Sequence, residues 1–154
     1  MLFQKILDIF SKNNNIKTLF LVDILYMKDL NAIYDFKNGD FIIRQLDSIL
    51  KTNIKELIKE ELKRNIYINI KNTHADVFEI YLLDDLSIEE IVIVKNIIYE
   101  SIVSNNFKLL DNYGTINIDI TIGCAKSEDK HIKIYAEKAL YNEKLNFIHY
   151  MYYD

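Results

Sequence analysis

The residues in this chain best suited to chemistry are two acids in strand-like surroundings, Asp23 and Asp76. Asp23 lies in residues 18–25, an otherwise apolar run containing Leu19-Phe20-Leu21-Val22. A continuous apolar run of this kind is expected of a strand covered on both faces. Asp76 lies in Thr73-His74-Ala75-Asp76-Val77-Phe78, between strand-like runs at residues 66–70 and 77–83. That stretch reads as the tip of a β-hairpin, with Asp76 where the second strand begins. An acid inside a buried strand is costly unless a cation pairs with it or a metal binds it. One acid on a central strand and one on a hairpin suggest a divalent-cation site of the kind that holds a nucleoside triphosphate. The alternative is that both acids face solvent at strand ends.

The elements that must position these acids belong to one domain. The chain has 154 residues, half of them hydrophobic and 27% charged, which is a globular composition. Net charge is −4, no basic block occurs, and the arginines are Arg44 and Arg64 alone. A broad phosphate-contacting face for nucleic acid is therefore not expected. The apolar runs are too short to span a bilayer and no signal peptide opens the chain. Together with the lone Cys124, expected to be a buried and inert thiol, this favours a cytoplasmic setting. Proline is absent and glycine occurs three times, so turns fall to Asn, Asp and Ser.

Leu2, Ile6, Leu7, Ile9 and Phe10 suggest a short amphipathic helix ahead of a polar turn at 11–15. Residues 28–34 predict a short helix. Asn38-Gly39-Asp40 predicts a break, with Asp40 near the start of the next helix. From there Ile42, Leu46, Ile49, Leu50, Ile54, Leu57 and Ile58 recur at helical spacing, with Glu60 and Arg64 four apart on the exposed side. Ser87-Ile88-Glu89-Glu90 has the form of a capping box. The helix it starts carries Ile91, Val92, Ile93, Val94, Ile97, Ile98 and Ile102, so it is either deeply buried or offers a second face to a partner. Ile116, Ile118, Ile120 and Ile122 alternate with Asn117, Asp119 and Thr121, which predicts a half-buried strand with Gly123 relieving its end. Ile132, Tyr135, Ala136, Ala139 and Leu140 give another helical stripe, and residues 148–153 suit a closing strand. The order β-α-α-β-β-α-β-α-β is an α+β sandwich with helices packed on a largely antiparallel sheet.

Several motifs, taken in order from Leu19 onward, resemble those of the GGDEF family, the diguanylate cyclases. Leu21-Val22-Asp23-Ile24 followed by Met27-Lys28-Asp29-Leu30-Asn31 resembles the family's metal-binding strand and its F-K-x-x-N. Asn38-Gly39-Asp40 resembles its G-D, and His74-Ala75-Asp76-Val77-Phe78 occupies the place of the signature. Thr121-Ile122-Gly123-Cys124-Ala125 resembles its S-I-G-I-A strand. Residues Ala136 to Lys144 resemble its A-D-x-A-L-Y-x-A-K helix. The resemblance implies a ferredoxin-like, palm-type βαββαβ core. It also implies Mg²⁺ and GTP as ligands: Asp23 and Asp76 on the metal, Asn31 and Asp40 on guanine, and Lys144 on phosphate. A carboxylate and an amide can together serve the donor and acceptor edges of guanine. Singly, Asp40 also suits a helix cap and Lys144 a solvated surface lysine.

The departures concern chemistry. The two signature glycines are His74 and Ala75, where a side chain obstructs the close approach of nucleotide to backbone. The signature Glu is Val77. In the family that carboxylate helps activate the attacking 3′-hydroxyl, a general-base contribution on the order of a hundredfold or more. Leu25 and Ala32 replace further family acids, the inhibitory R-x-x-D is missing near residues 65–68, and no Arg follows Lys144. The resemblance therefore implies a degenerate GGDEF domain over residues 1–154 without catalytic residues, acting in bacterial cyclic di-GMP signalling. Such domains often precede an EAL phosphodiesterase in one polypeptide, and the end at Tyr152-Tyr153-Asp154 suits a fragment of a longer protein. A neighbouring EAL or sensor domain, GTP and a second copy in a homodimer are the partners expected. The alternatives are an active cyclase with a modified site and a ligand-free dimerisation scaffold.

Overall fold

The computed structural model describes residues 2–3, 16–74 and 76–153. The helix expected ahead of residue 11 and the polar turn after it lie outside the described residues, apart from Leu2 and Phe3, which are helical. Strand β1 (Lys17–Ile24) leads into helix α1 (Met27–Ile49), a π-helical turn (Leu50–Ile54) and helix α2 (Lys55–Leu62). The hairpin follows as β2 (Ile68–His74) and β3 (Val77–Leu82), then α3 (Ile88–Val103), the short strands β4 (Phe107–Lys108) and β5 (Thr115–Ile116), β6 (Ile120–Ser127) and α4 (Ile132–Tyr153).

The main sheet has the order β2-β3-β1-β6, with every neighbouring pair antiparallel. With α1–α2 and α3 as the two crossovers, this is the ferredoxin-like βαββαβ arrangement. β1 is central and buried along almost its whole length, as its apolar run predicts. Its alternate residues serve two cores. Phe20, Val22 and Ile24 join the larger cluster under α1, α2 and α3. Leu19 and Leu21 join Ile132, Ala136 and Leu140 of α4 on the opposite face.

The segment from α1 to α2 explains its own irregularity. Ile42, Leu46, Leu50, Ile54, Ile58 and Leu62 are all buried, at strict four-residue steps. At 3.6 residues per turn each step overshoots by about 40°, so five steps would carry the stripe roughly 200° round the helix. The wider π turn in the middle takes back part of that drift and keeps all six on the sheet. Leu57, one of the predicted stripe residues, is exposed.

Four expectations need correction. First, the break lies at Asp35 (φ 73, ψ 169), and Asn38 and Gly39 are buried within the helix. The Asp35 carboxylate accepts the Asn38 backbone N–H (3.1 Å), as a helix cap does. Gly39 is there for close approach: a Cβ would fall 1.9 Å from Asn31 Oδ1. Asn38 in turn clips the β4–β5 hairpin to α1, donating to the Tyr34 carbonyl (2.7 Å) and accepting the Leu110 N–H (2.6 Å). Gln45 does the same for Lys108, donating to its carbonyl and accepting its N–H, both at 2.9 Å.

Second, the alternating run at 116–122 is not one strand. Asn117 turns aside to the Asn105 carbonyl (3.0 Å), and Asp119 Oδ1 caps the Ile120 N–H (2.9 Å). Third, Gly123 sits inside β6, not at its end. A Cβ there would lie 2.4 Å from the Leu140 nitrogen and 2.6 Å from the Ala136 oxygen, so glycine is what lets α4 lie against the sheet. Fourth, residues 148–153 continue α4. No Gly or Pro interrupts that segment, so its β-branched and aromatic residues are carried along the helix. No helix among the described residues is long and apolar enough to cross a membrane.

The capping box at Ser87 forms, with Ser87 Oγ accepting the Glu90 N–H and Glu90 Oε1 accepting the Ser87 N–H, both at 3.1 Å. Arg64 does not pair with Glu60. It bonds Asp84 (2.8 Å) and Glu90, tying the end of α2 to the start of α3. The Arg64 hydrogen bond and then the Ser87 backbone N–H hold the Glu90 carboxyl at about 2, below its ordinary 4.5. A folded value below the unfolded one means stabilisation that is complete above about pH 4.5 and lost as pH falls towards 2. Thermal melts should therefore fall between about pH 5 and pH 3. Arg64→Met should lower the melting temperature at neutral pH and flatten that fall, and an unchanged slope in the variant would refute the assignment.

Candidate functional site

The site forms where β1 ends. Asp23, the penultimate residue of β1, pairs with Val77 of β3 on one side and Thr121 of β6 on the other. Directly opposed residues project from the same face of a sheet, here the face under α4. The backbone N–H of Ile24 donates to the Asp76 carbonyl (3.0 Å), which folds the hairpin tip back beside Asp23. Asp23 is 3% exposed.

The helix above supplies a cation. Ile132, Ala136 and Leu140 seat α4 on the sheet. Lys144, one helical step further, makes an ion pair with Asp23 Oδ2. Asp23 Oδ1 and Thr121 Oγ1 are both buried without a hydrogen-bond partner. Burial pushes the Asp23 carboxyl above its ordinary value; the Lys144 hydrogen bond and charge pull it down, and the Asp76 charge adds to the rise.

A second acid–lysine pair repeats the device. Glu79 of β3, 3% exposed, lies 2.9 Å from Lys133 of α4. Sequence reasoning passed over this pair, although Glu79 in Val77-Phe78-Glu79-Ile80 carries the same signal as Asp23, an acid inside an apolar strand.

Asn31 and Asp40, the residues expected on guanine, stand on α1, which follows the end of β1. Asn31 rests against Gly39, and its Oδ1 is enclosed without a partner. Asp40, the next residue, is exposed. Asp23, Asp76 and Lys144 thus come together, while Asn31 and Asp40 both stand on α1. Val77 is half-buried in the α4-side core beside Asp23, so hydrocarbon fills the position opposite the acid. Phe78 belongs to the other core and is fully buried. Ala75 and the side chain of His74 lie outside the described residues. Cys124 is half-buried against the larger core, and burial pushes its thiol up to about 11.

For a divalent cation the donors at hand are Asp23 Oδ1 and Asp76. No group of three or more His, Cys, Asp and Glu among the described residues could hold a metal ion. Mg²⁺ is commonly held by one or two carboxylates together with substrate phosphates and waters, so two acids suffice in number. One of them already carries an ammonium.

No family model matches the chain, and no curated protein matches it. Solved structures do. The GGDEF domain of FimX from Pseudomonas aeruginosa aligns with a TM-score of 0.69 at 14% identity, over 94% of this chain and 86% of that one. The GGDEF domain of DgcB from Caulobacter crescentus, solved in complex with c-di-GMP, gives 0.70 at 17% identity, over 94% and 83%. An EAL/GGDEF domain protein from M. capsulatus gives 0.63 at 19% identity, over 92% and 88%. The fold is that of a GGDEF domain.

The Asp23–Lys144 pair is lopsided, because the Asp23 side chain is 4% exposed and that of Lys144 40%. Asp23→Asn removes a buried charge and leaves a lysine that water can reach. It should match or exceed the wild type in stability at pH 7. A folded carboxyl raised above 3.8 gives up stability as pH rises through its folded value, so any gain from Asn is absent below about pH 3.8 and complete at neutrality. A clear drop in melting temperature at pH 7 would overturn this.

Proposed function

We propose that this chain is a regulatory GGDEF-fold domain of cyclic di-GMP signalling that binds guanine nucleotide and does not cyclise it. The observation that carries the reading is Val77, opposite Asp23 in the strand register. A base for the attacking hydroxyl would have to stand there, and an isopropyl group has no lone pair with which to accept the hydroxyl proton. Binding asks less of the site. Asn31, whose unpartnered Oδ1 lies against Gly39, and the exposed Asp40 that follows Gly39 support guanine recognition. Lys144 supplies a point charge for phosphate, and Mg²⁺ would enter on Asp23 and Asp76 with the triphosphate.

Arg64 is committed to Asp84 and Glu90, which supports the absence of a product-inhibition site nearby. The natural setting of such a domain is beside an EAL-type phosphodiesterase or a sensor domain. Occupancy would be passed on to it as a coupling free energy of about 1–3 kcal/mol. One feature favours a ligand-free scaffold instead: Ile88 and Val92, one turn apart on α3, are exposed.

Purified protein given GTP with Mg²⁺ or Mn²⁺ should form no cyclic di-GMP above background. It should bind GTP in preference to ATP, with the preference lost in Asp40→Ala. Turnover abolished by Asp76→Ala would make the domain an active cyclase. Failure to bind GTP at millimolar concentration would leave the scaffold.

A further inference from the structure

Asp23 is held in two unequal halves. Oδ2 meets the Lys144 ammonium, and Oδ1 is buried with no partner, as is Oγ1 of Thr121, the residue opposite on the neighbouring strand. We propose that Lys144 is a tethered competitor of divalent cations, so that its ammonium occupies Asp23 and a metal ion binds only as Lys144 leaves.

Three observations carry this. The first is that Asp23 is almost fully buried, so a negative charge on it is costly unless a cation meets it. A second is that Lys144 can reach water: its side chain is 40% exposed and loses little by swinging out. At neutral pH Lys144 therefore leaves Asp23 most readily when another cation arrives. The third is the tether. Gly123 brings the α4 backbone against β6, and Ile132, Ala136 and Leu140 pack beneath it, so Lys144 is presented from a fixed helix. A group tethered in this way acts at an effective concentration on the order of millimolar or more. Two like charges on one buried carboxylate repel, so the metal and the ammonium exclude each other. The inference rests on Asp23 and Lys144 alone and stands whether or not the domain binds GTP.

The test is Mn²⁺ binding, followed by the electron paramagnetic resonance of the free ion, without nucleotide. Wild type should bind weakly. Lys144→Met should bind at least about tenfold more tightly, since it removes the tethered competitor. Lys144→Arg keeps the charge and should stay as weak as wild type. Asp23→Asn added to Lys144→Met should abolish the gain. Equal affinity in wild type and Lys144→Met, no binding in either, or a gain that survives Asp23→Asn would each overturn the proposal. Lys144→Met leaves a buried acid unpaired, so its stability is a second readout. Mn²⁺ should raise its melting temperature more than that of wild type, and should restore folding if the variant is unfolded alone. An equal response in the two proteins, or no rescue, would sink the idea.

Discussion

A carboxylate on the innermost strand must be met by a cation, and in this chain the cation comes from the last helix. Asp23 and Glu79 face the same side of the sheet, and Lys144 and Lys133 descend on them from α4. The packing of α4 is thus set by charge as well as by Ile132, Ala136 and Leu140. Gly123 is the enabling residue, since any side chain at that point would meet the α4 backbone. Sheet, helix and site are coupled: the spacing that buries the small core is the spacing that brings Lys144 to Asp23. Ion pairs on a buried acid are poor sources of stability, so two of them beneath one helix are better understood as fixing where that helix lies.

The fold was legible wherever one period ran without interruption. The apolar run of β1, the hairpin around Asp76 and the Ser87 capping box all follow from side-chain pattern and local hydrogen bonding. What escaped was decided by partners distant in sequence. Asn38-Gly39 has the composition of a turn, yet both residues are helical because Asn31 needs Gly39 bare and Leu110 needs the Asn38 amide. Gly123 looked like a strand end because α4 cannot be seen from β6. The run at 148–153 has strand-like residues, but no Gly or Pro separates it from the helix that precedes it. The π turn was present in the sequence as a strict four-residue spacing, a period that an unbroken α-helix cannot keep on one face.

The site was legible as a set of residue types and not as a set of contacts. Asp23, Asp76 and Lys144 come together, but spacing could not show that Lys144 would spend its charge on Asp23. Thr121 gave no signal, being one polar residue in an alternating strand. The scaffold of a GGDEF domain survives here at sequence identities of 14–19% to the structures compared above. That is possible because the scaffold depends on hydrophobic pattern and a few close approaches, while the chemistry depends on single atoms. An apolar Val77, packed against the α4-side core, fits that pattern.

The buried Asn38-Gly39 pair has a consequence for how the protein ages. In an exposed loop, an asparagine followed by glycine is readily lost to deamidation, because the following backbone nitrogen can attack the side-chain amide. Here the amide is held at both ends, its nitrogen on the Tyr34 carbonyl and its oxygen on the Leu110 N–H, and the residue is fully buried. Attack requires the amide to leave both partners, so the hairpin must first come away from α1. Slow conversion of Asn38 to aspartate is then a chemical clock for that local opening, recorded in the mass of the chain long after the hairpin has closed again.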